Sequence, residues 1–258
     1  MKWRFINTGF RRGKFNMEYD EFLASRLIEE AGVPTVRVYG WNPPAISLGH
    51  NQREEDIDLQ KCEDEGIDVV RRPTGGRAIL HWSEITYSVV MYAESLSISE
   101  VYEKISRALV VGIRLMGVDA ELEKSQPNFQ SLYKDAASVP CFSSSAKYEI
   151  QYQNKKLVGS AQRRYSCIGG KEIVLQHGSI LLGPEHRWLV DFLSEKNENV
   201  LKEMKHVLNE KTIDIKTILG KEVSFDEAAY YLKEGFEKEW KIQFAQNISN
   251  YKLEFKME

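Results

Sequence analysis

The chain has 258 residues, enough for one large domain or two small ones, and its 42% hydrophobic and 28% charged residues are ordinary for a globular protein. Lys plus Arg number 35 against 38 Asp plus Glu, a net charge of −3, which excludes a global basic field for nucleic acid and leaves any anion site to local residues. No run approaches the roughly 20 apolar residues that span a bilayer, and the start MKWRFINTGFRRGKF lacks an apolar leader core, so a soluble, cytoplasmic protein is expected.

In chain order, residues 3–6 suggest a short strand. Residues 16–31 place Tyr19, Phe22, Leu23, Leu27 and Ile28 on one helical face, with Gly32-Val33-Pro34 as the stop. TVRVYGW and AISLGH then read as strands, residues 54–65 as a helix ended by Gly66, and residues 67–70 as another strand. ITYSVVMY is β-branched and aromatic, hence a strand. Ser97 and Glu100 have capping-box spacing, and the helix they open carries Val101, Ile105, Leu109, Ile113 and Met116 on one stripe. Residues 124–146 are polar, hold Pro127 and Pro140, and read as a long loop of the kind that carries function. KYEIQYQ and LVGSAQ suggest a hairpin turning at Asn154-Lys155, and residues 172–182 a further strand. The last third is helical, with a second cap at Ser224. Strands and helices intermix without strict βαβ alternation, so the expected fold class is α+β (mixed α/β). No stretch reads as a linker, and residues 1–258 are expected to form a single domain.

Chemistry concentrates in a few places. RRPTGGRAILH, residues 71–81, sets Gly75-Gly76 among Arg71, Arg72 and Arg77 and ends in His81. A glycine turn with exposed arginines accounts for it; so does a loop whose N–H groups approach a ligand while arginines neutralise it. It is neither a P-loop nor a dinucleotide fingerprint. The odd count of three cysteines argues for a reducing compartment over a disulfide framework. Cys62 and Cys167 fit the role of small buried hydrophobes. Cys141, in SVPCFSSS on the polar loop, is the thiol whose position burial does not explain. No Cys/His spacing suits zinc, and no metal is expected. Lys156 opens a strand whose Gly159-Ser160-Ala161 suggests close approach by a ligand or backbone. His177 on the last strand is read as a core or orienting histidine.

Taken together, RRPTGGRAILH, the opening WRFINTG with FNMEYDE, KKLVGSAQRR and LQHGSILL resemble the signature of the lipoate and octanoate attachment family over roughly residues 3–240. That family includes ATP-dependent lipoate–protein ligases and ATP-independent octanoyltransferases, and it is related in fold to biotin protein ligases. Arg77, at a position where typical ligases carry a third glycine, and Cys141-Phe142 before the lysine strand resemble the octanoyltransferase branch of Bacillus-type bacteria. His81-Trp82 departs from the family's usual His-Asp. Typical ligases carry a C-terminal accessory domain, and none is expected here after Glu258.

The resemblance implies a biotin/lipoate ligase-like catalytic domain that moves an octanoyl group from octanoyl–acyl carrier protein to a lysine of a lipoyl domain. Cys141 would form the acyl-enzyme and Lys156 would assist, as base or as electrostatic stabiliser, facing the Cys141 sulfur across a narrow apolar tunnel. Arg72, Gly75, Gly76, Arg77, His81, Gly159, Ser160, Ala161 and His177 would bind substrate. No cofactor is implied. The acceptors would be proteins such as glycine cleavage H protein or a 2-oxoacid dehydrogenase E2, and the basic residues Lys147, Lys155-Lys156 and Arg163-Arg164 would suit acidic partners. The alternatives are an ATP- and Mg-dependent ligase lacking its accessory domain, and octanoyl transfer between lipoyl-domain proteins.

Overall fold

A computed structural model of the chain describes residues 2–123, 149–167 and 170–245. Among the described residues ten strands fall in two sheets. β1 (Arg4–Arg11), β2 (Thr35–Trp41), β6 (Glu84–Tyr92), β10 (Glu172–Leu181), β9 (Lys155–Ser166), β8 (Ile150–Tyr152) and β7 (Glu121–Leu122) form the larger sheet in that spatial order. Only its β1–β2 pair is parallel. β3 (Ala45–Leu48) lies between β4 (Asp68–Arg71) and β5 (Ile79–His81) in the smaller sheet. The expected α+β fold class is the one found.

Burial on both faces of the large sheet follows from its sequence alternation. Val36, Val38, Val89, Met91 and Val174 point to one face. There they join α3 (Ile98–Leu115) and α6 (Phe225–Trp240) in the main core. Val90, Ile173 and Leu175 point to the other face and pack against Tyr19, Leu23 and Leu27 of α1 (Gly13–Ile28). On this α1 face the alternation is not purely apolar. β2 sends Arg37, Tyr39 and Trp41 there, β6 sends Glu84, Thr86 and Ser88, and β10 sends His177 and Ser179, all buried.

Local rules locate most element ends, and tertiary contacts move the rest. α1 runs three residues earlier than the sequence suggests. Asn16 lies inside the helix, where its amide reaches Gly40 O at 3.0 Å, and Glu30 at φ 56° turns left-handed just before the Gly32-Val33-Pro34 stop. The helix anticipated over residues 54–65 is interrupted. Ile57 is drawn into an extended bridge with Leu193, while Asp58 recaps a short α2 (Leu59–Asp64) by accepting from Lys61 N. Gly66 then ends it at φ 69°. The β8–β9 hairpin turns one residue early, on Gln153 and Asn154, both left-handed at φ 48° and 61°. Ser97 and Glu100 form the anticipated capping box. The C-terminal part is helical as expected, through α4 (Glu198–Lys211), α5 (Ile215–Leu219) and α6, whose Ser224 accepts from Glu227 N. Among the described residues no helix is long and apolar enough to cross a membrane.

α3 and α6 meet at a glycine pair. A Cβ on Gly235 would collide with Gly112 N and lie 2.6 Å from Gly112 Cα. Both obstacles are backbone, so no rotamer change relieves them. Gly235→Ala gains up to about 1 kcal/mol of helix propensity and is expected to lose about 1–3 kcal/mol to overpacking. The prediction is a net fall in Tm of a few degrees by calorimetry; a rise would show that the helices do not approach this closely.

Candidate functional site

The α1 face of the large sheet holds a narrow pocket, roughly 400 Å³ when the open space at its mouth is included. Its floor is set by strand register. Gly159 and Ala161 of β9 stand opposite Ser179 and His177 of β10, so small side chains on one strand leave space above hydroxyl and imidazole on the next. Met17 of α1, Tyr39 and Trp41 of β2, and Thr86 of β6 add walls. Ser47, Arg72, Gly76, Ile79 and His81 close it from the smaller sheet. The lining is mostly carbon.

RRPTGGRAILH connects β4 to β5, which lie on either side of β3 and do not pair with each other, so the segment is a crossover loop and not a hairpin turn. Arg72 shapes it. Nε and Nη2 donate to Gly75 O at 3.2 and 2.9 Å, Nη2 also to Arg77 O at 2.7 Å, and Nη1 to Ser47 O and Oγ at 2.9 and 3.0 Å. A guanidinium presents several N–H donors from one planar group, and Arg72 uses them to tie the loop's own carbonyls to Ser47 of β3. Arg71 likewise reaches Gly49 O, His50 O and Gln52 O. Gly76 alone of the glycine pair takes a positive φ, 98°. Gly49 must be glycine for another reason: a Cβ there would run into Gly76 O. Gly75 is exposed and Arg77 half-buried, and neither lines the pocket.

Two buried histidines are held in fixed orientations. His81 Nδ1 donates to Glu84 Oε1 at 2.9 Å and its Nε2 accepts from Ser47 Oγ at 2.7 Å. Its ring stacks on Trp41 with centroids 4.0 Å apart. Trp41 Nε1 donates to Thr86 Oγ1, which donates in turn to Glu84. His177 Nδ1 donates to Asp20 Oδ2 at 3.2 Å and its Nε2 accepts from Thr74 Oγ1 at 2.6 Å. Each chain has the hydroxyl–imidazole–carboxylate order of a hydrolytic triad. Ser47 and Thr74 are nevertheless buried, and Ser47 Oγ also accepts from Arg72. The arrangement fixes ring tautomers and ties the crossover loop to the sheet.

Asp20 is the charged centre beneath the pocket. Arg37 donates to its Oδ1 at 2.7 Å with both side chains fully buried, Ser88 donates to the same oxygen, and Tyr39 OH donates to Oδ2. Arg37 also bonds Asn16 and Thr8, and its guanidinium lies 3.9 Å from the Tyr39 ring centroid. Burial pushes the Asp20 carboxyl up, but Arg37, His177 and Ser88 together outweigh it and hold the group below its ordinary value. Burial lowers His177 despite Asp20, and it lowers His186, beside Arg187, to about 4.

Lys156 reaches the pocket face by an irregularity. Val158 stands opposite Ile150 and Lys156 opposite Gln151, so one step on β8 is matched by two on β9. Directly paired residues share a face and successive residues alternate. The extra residue, Leu157, therefore puts Lys156 on the opposite face from Val158, the face of Gly159 and Ala161. Its ammonium lies 2.7 Å from Glu149 Oε1, and both side chains are more than nine-tenths buried.

Of the residues proposed from sequence, the pocket lining gathers Arg72, Gly76, His81, Gly159, Ser160, Ala161 and His177. Cys141 and the tunnel it was expected to share with Lys156 lie outside the described residues, as does Lys147. Cys62 is a buried thiol that burial, with Asp58 and Glu65, pushes up to about 11, which suits a packing role. The paired basic residues are not patches, because neighbours on a strand face opposite ways. Arg164 is bound by Glu172 at 2.7 Å, whereas Arg163 reaches Pro73 O on the crossover loop. Sequence reasoning missed Asp20, Arg37, Ser47, Thr86 and Ser179. The available signal was polar residues at every second position of otherwise apolar strands, with Asn16 and Asp20 four apart on a buried helix face.

Residues 12–237 match the model of the lipoyl protein ligase A/B catalytic domain. Curated relatives include Octanoyltransferase LipM of Geobacillus kaustophilus, 37% identical over 92% of this chain and 85% of that protein. Octanoyltransferase LipM of Bacillus subtilis is 36% identical over 91% of this chain and 85% of that protein. Among solved structures, a lipoate-protein ligase A bound with ATP superposes with a TM-score of 0.74 at 23% identity, covering 96% of this chain and 89% of that one. The bipartite lipoate protein ligase of Thermoplasma acidophilum gives the same score at 20% identity, covering 96% and 87%. These structures share the fold.

Two outcomes follow from the buried charges. Asp20→Asn leaves Arg37 buried without its counter-charge and is expected to cost about 3–5 kcal/mol in urea denaturation. His177 and His186 resist protonation in the folded state, so the unfolded chain binds more protons as pH falls from their ordinary value of 6.5 toward 4. Stability is therefore expected to be full above pH 6.5 and to fall between pH 6.5 and 4. Asp20, held low, keeps its contribution above its ordinary 3.8 and loses it only at lower pH. Urea midpoints at pH 7 and 5 test the histidine part, and His186→Gln should narrow the difference.

Proposed function

Because the chain belongs to the lipoyl protein ligase A/B catalytic-domain family, we propose that it is an octanoyltransferase of protein lipoylation. It takes its acyl group from octanoyl–acyl carrier protein and delivers it to one lysine of a lipoyl domain, such as glycine cleavage H protein or a 2-oxoacid dehydrogenase E2. The observation that carries this reading is the carbon-lined pocket floored by Gly159 and Ala161, with the buried Lys156 cation on the same face. It offers an apolar lining for an alkyl chain and charge for the carbonyl end. Relatives of 36–37% identity that bear the octanoyltransferase name support the choice of acyl group.

The chemistry divides into two exchanges at one carbonyl carbon. The Cys141 thiolate attacks the donor thioester, a new C–S bond forms, the old C–S bond breaks, and the carrier's thiolate departs to take up a proton. The acceptor lysine's neutral ε-amine then attacks the enzyme thioester. A C–N bond forms, the bond to Cys141 breaks, and the amine's proton is lost as the thiolate returns. A thioester is more activated than the amide product, so ATP is not consumed. Lys156 stabilises the oxyanion of each tetrahedral intermediate by its charge, and the two protein substrates use one acyl site in turn. Arg72 is buried and donates to the carbonyls of Ser47, Gly75 and Arg77, which favours this reading over a ligase that uses this arginine on nucleotide phosphates.

The test uses octanoyl–acyl carrier protein and an apo lipoyl domain without ATP. Wild type is expected to octanoylate the acceptor and to show an octanoyl mass on Cys141 by peptide mass spectrometry. Cys141→Ser is expected to lose transfer. A requirement for ATP and free octanoate, or undiminished transfer by Cys141→Ser, would overturn the proposal.

A further inference from the structure

We infer that Glu149 is a positioning residue for acyl transfer: its carboxylate fixes the Lys156 ammonium on the pocket face. The inference rests on the transferase reading above and adds a residue to it. Lysine has four rotatable side-chain bonds, and its placement at a reacting carbonyl depends on what holds its end. Glu149 Oε1 lies 2.7 Å from Lys156 Nζ, and the side chains retain 6% and 7% of their exposure. At that burial the attraction is little screened by salt.

The backbones beneath the pair are fixed independently. Glu149 O accepts from Glu123 N at 2.8 Å, which joins the residue to the end of β7. Lys156 O accepts from Ile213 N at 3.0 Å, and Lys156 bridges Thr212 beyond α4. The carboxylate is therefore presented from a rigid base to a lysine that is itself anchored, and the Leu157 irregularity turns that lysine toward the pocket.

A purely structural pair is a poor explanation for this geometry. Two buried charges cost more desolvation than an apolar pair of similar size, and replacing such pairs with hydrophobic residues is often neutral or stabilising. A buried cation on the same sheet face as an apolar pocket, aimed by a carboxylate, suits a reaction in which negative charge develops transiently on a carbonyl oxygen.

The test is a double-mutant cycle on the full chain, with octanoyl–acyl carrier protein as donor and an apo lipoyl domain as acceptor. Glu149→Gln keeps the shape and a hydrogen-bonding oxygen but removes the charge. It is expected to lower kcat about tenfold or more with KM little changed, because the interaction matters in the transition state. Glu149→Asp, which keeps the charge, should recover part of that loss and covers the case in which the Gln variant folds poorly. In a Lys156→Met background the Glu149→Gln change should have almost no further effect, whereas a merely structural glutamate would lower activity by the same factor in both backgrounds. Active wild type with unaltered kcat in Glu149→Gln, or equal losses in both backgrounds, would overturn the inference and leave the transferase reading intact. Wild type that transfers nothing without ATP would overturn the transferase reading itself and, with it, this inference.

Discussion

The Arg37–Asp20 ion pair is the constraint on which the rest of the site depends. Both side chains are fully buried at 2.7 Å, and between them they contact α1, β1, β2, β6 and β10. A charge so placed is tolerable only with its partner and its full set of hydrogen bonds. Those hydrogen bonds specify the neighbourhood. Asp20 sets the His177 tautomer, His177 accepts from Thr74, and Thr74 belongs to the crossover loop that Arg72 folds around itself. The pocket's apolar wall thus stands on a polar foundation, and distortion of that foundation would propagate to the loop.

The reverse relation holds for the crossover loop. Its arginines look from sequence like anion ligands, yet Arg72 is consumed by carbonyls that a loop of this shape leaves facing inward. Buried carbonyls need donors, and one planar guanidinium supplies several from a single position. The arginine is what allows a loop with few side chains to sit at a pocket wall without unsatisfied backbone.

The fold was largely readable in the sequence, because β-branched alternation, the Ser97–Glu100 cap and the helical stripe of α3 are local signals. What was not readable depended on distant partners: the break at Ile57 follows from its pairing with Leu193, and the early turn of α1 from Asn16 reaching β2. The quoted motifs led to seven of the fifteen residues that line the pocket through family resemblance. The polar foundation went unnoticed because single polar residues in apolar strands read as noise until register shows Arg37, Ser88 and His177 on one face.

The Leu157 irregularity has a consequence for how this site tolerates change. Inserting one residue into β8 between Ile150 and Gln151 would give Leu157 a partner and leave the lysine, the small-residue string and the whole of β9 intact. Regular alternation would then return Lys156 to the face of Val158 and Ile150, within the main core and away from the cavity. Reactivity here is tied to a count of residues as much as to their kinds, so chains with identical motifs but a β8 one residue longer would share the fold and lack the cation on the pocket face.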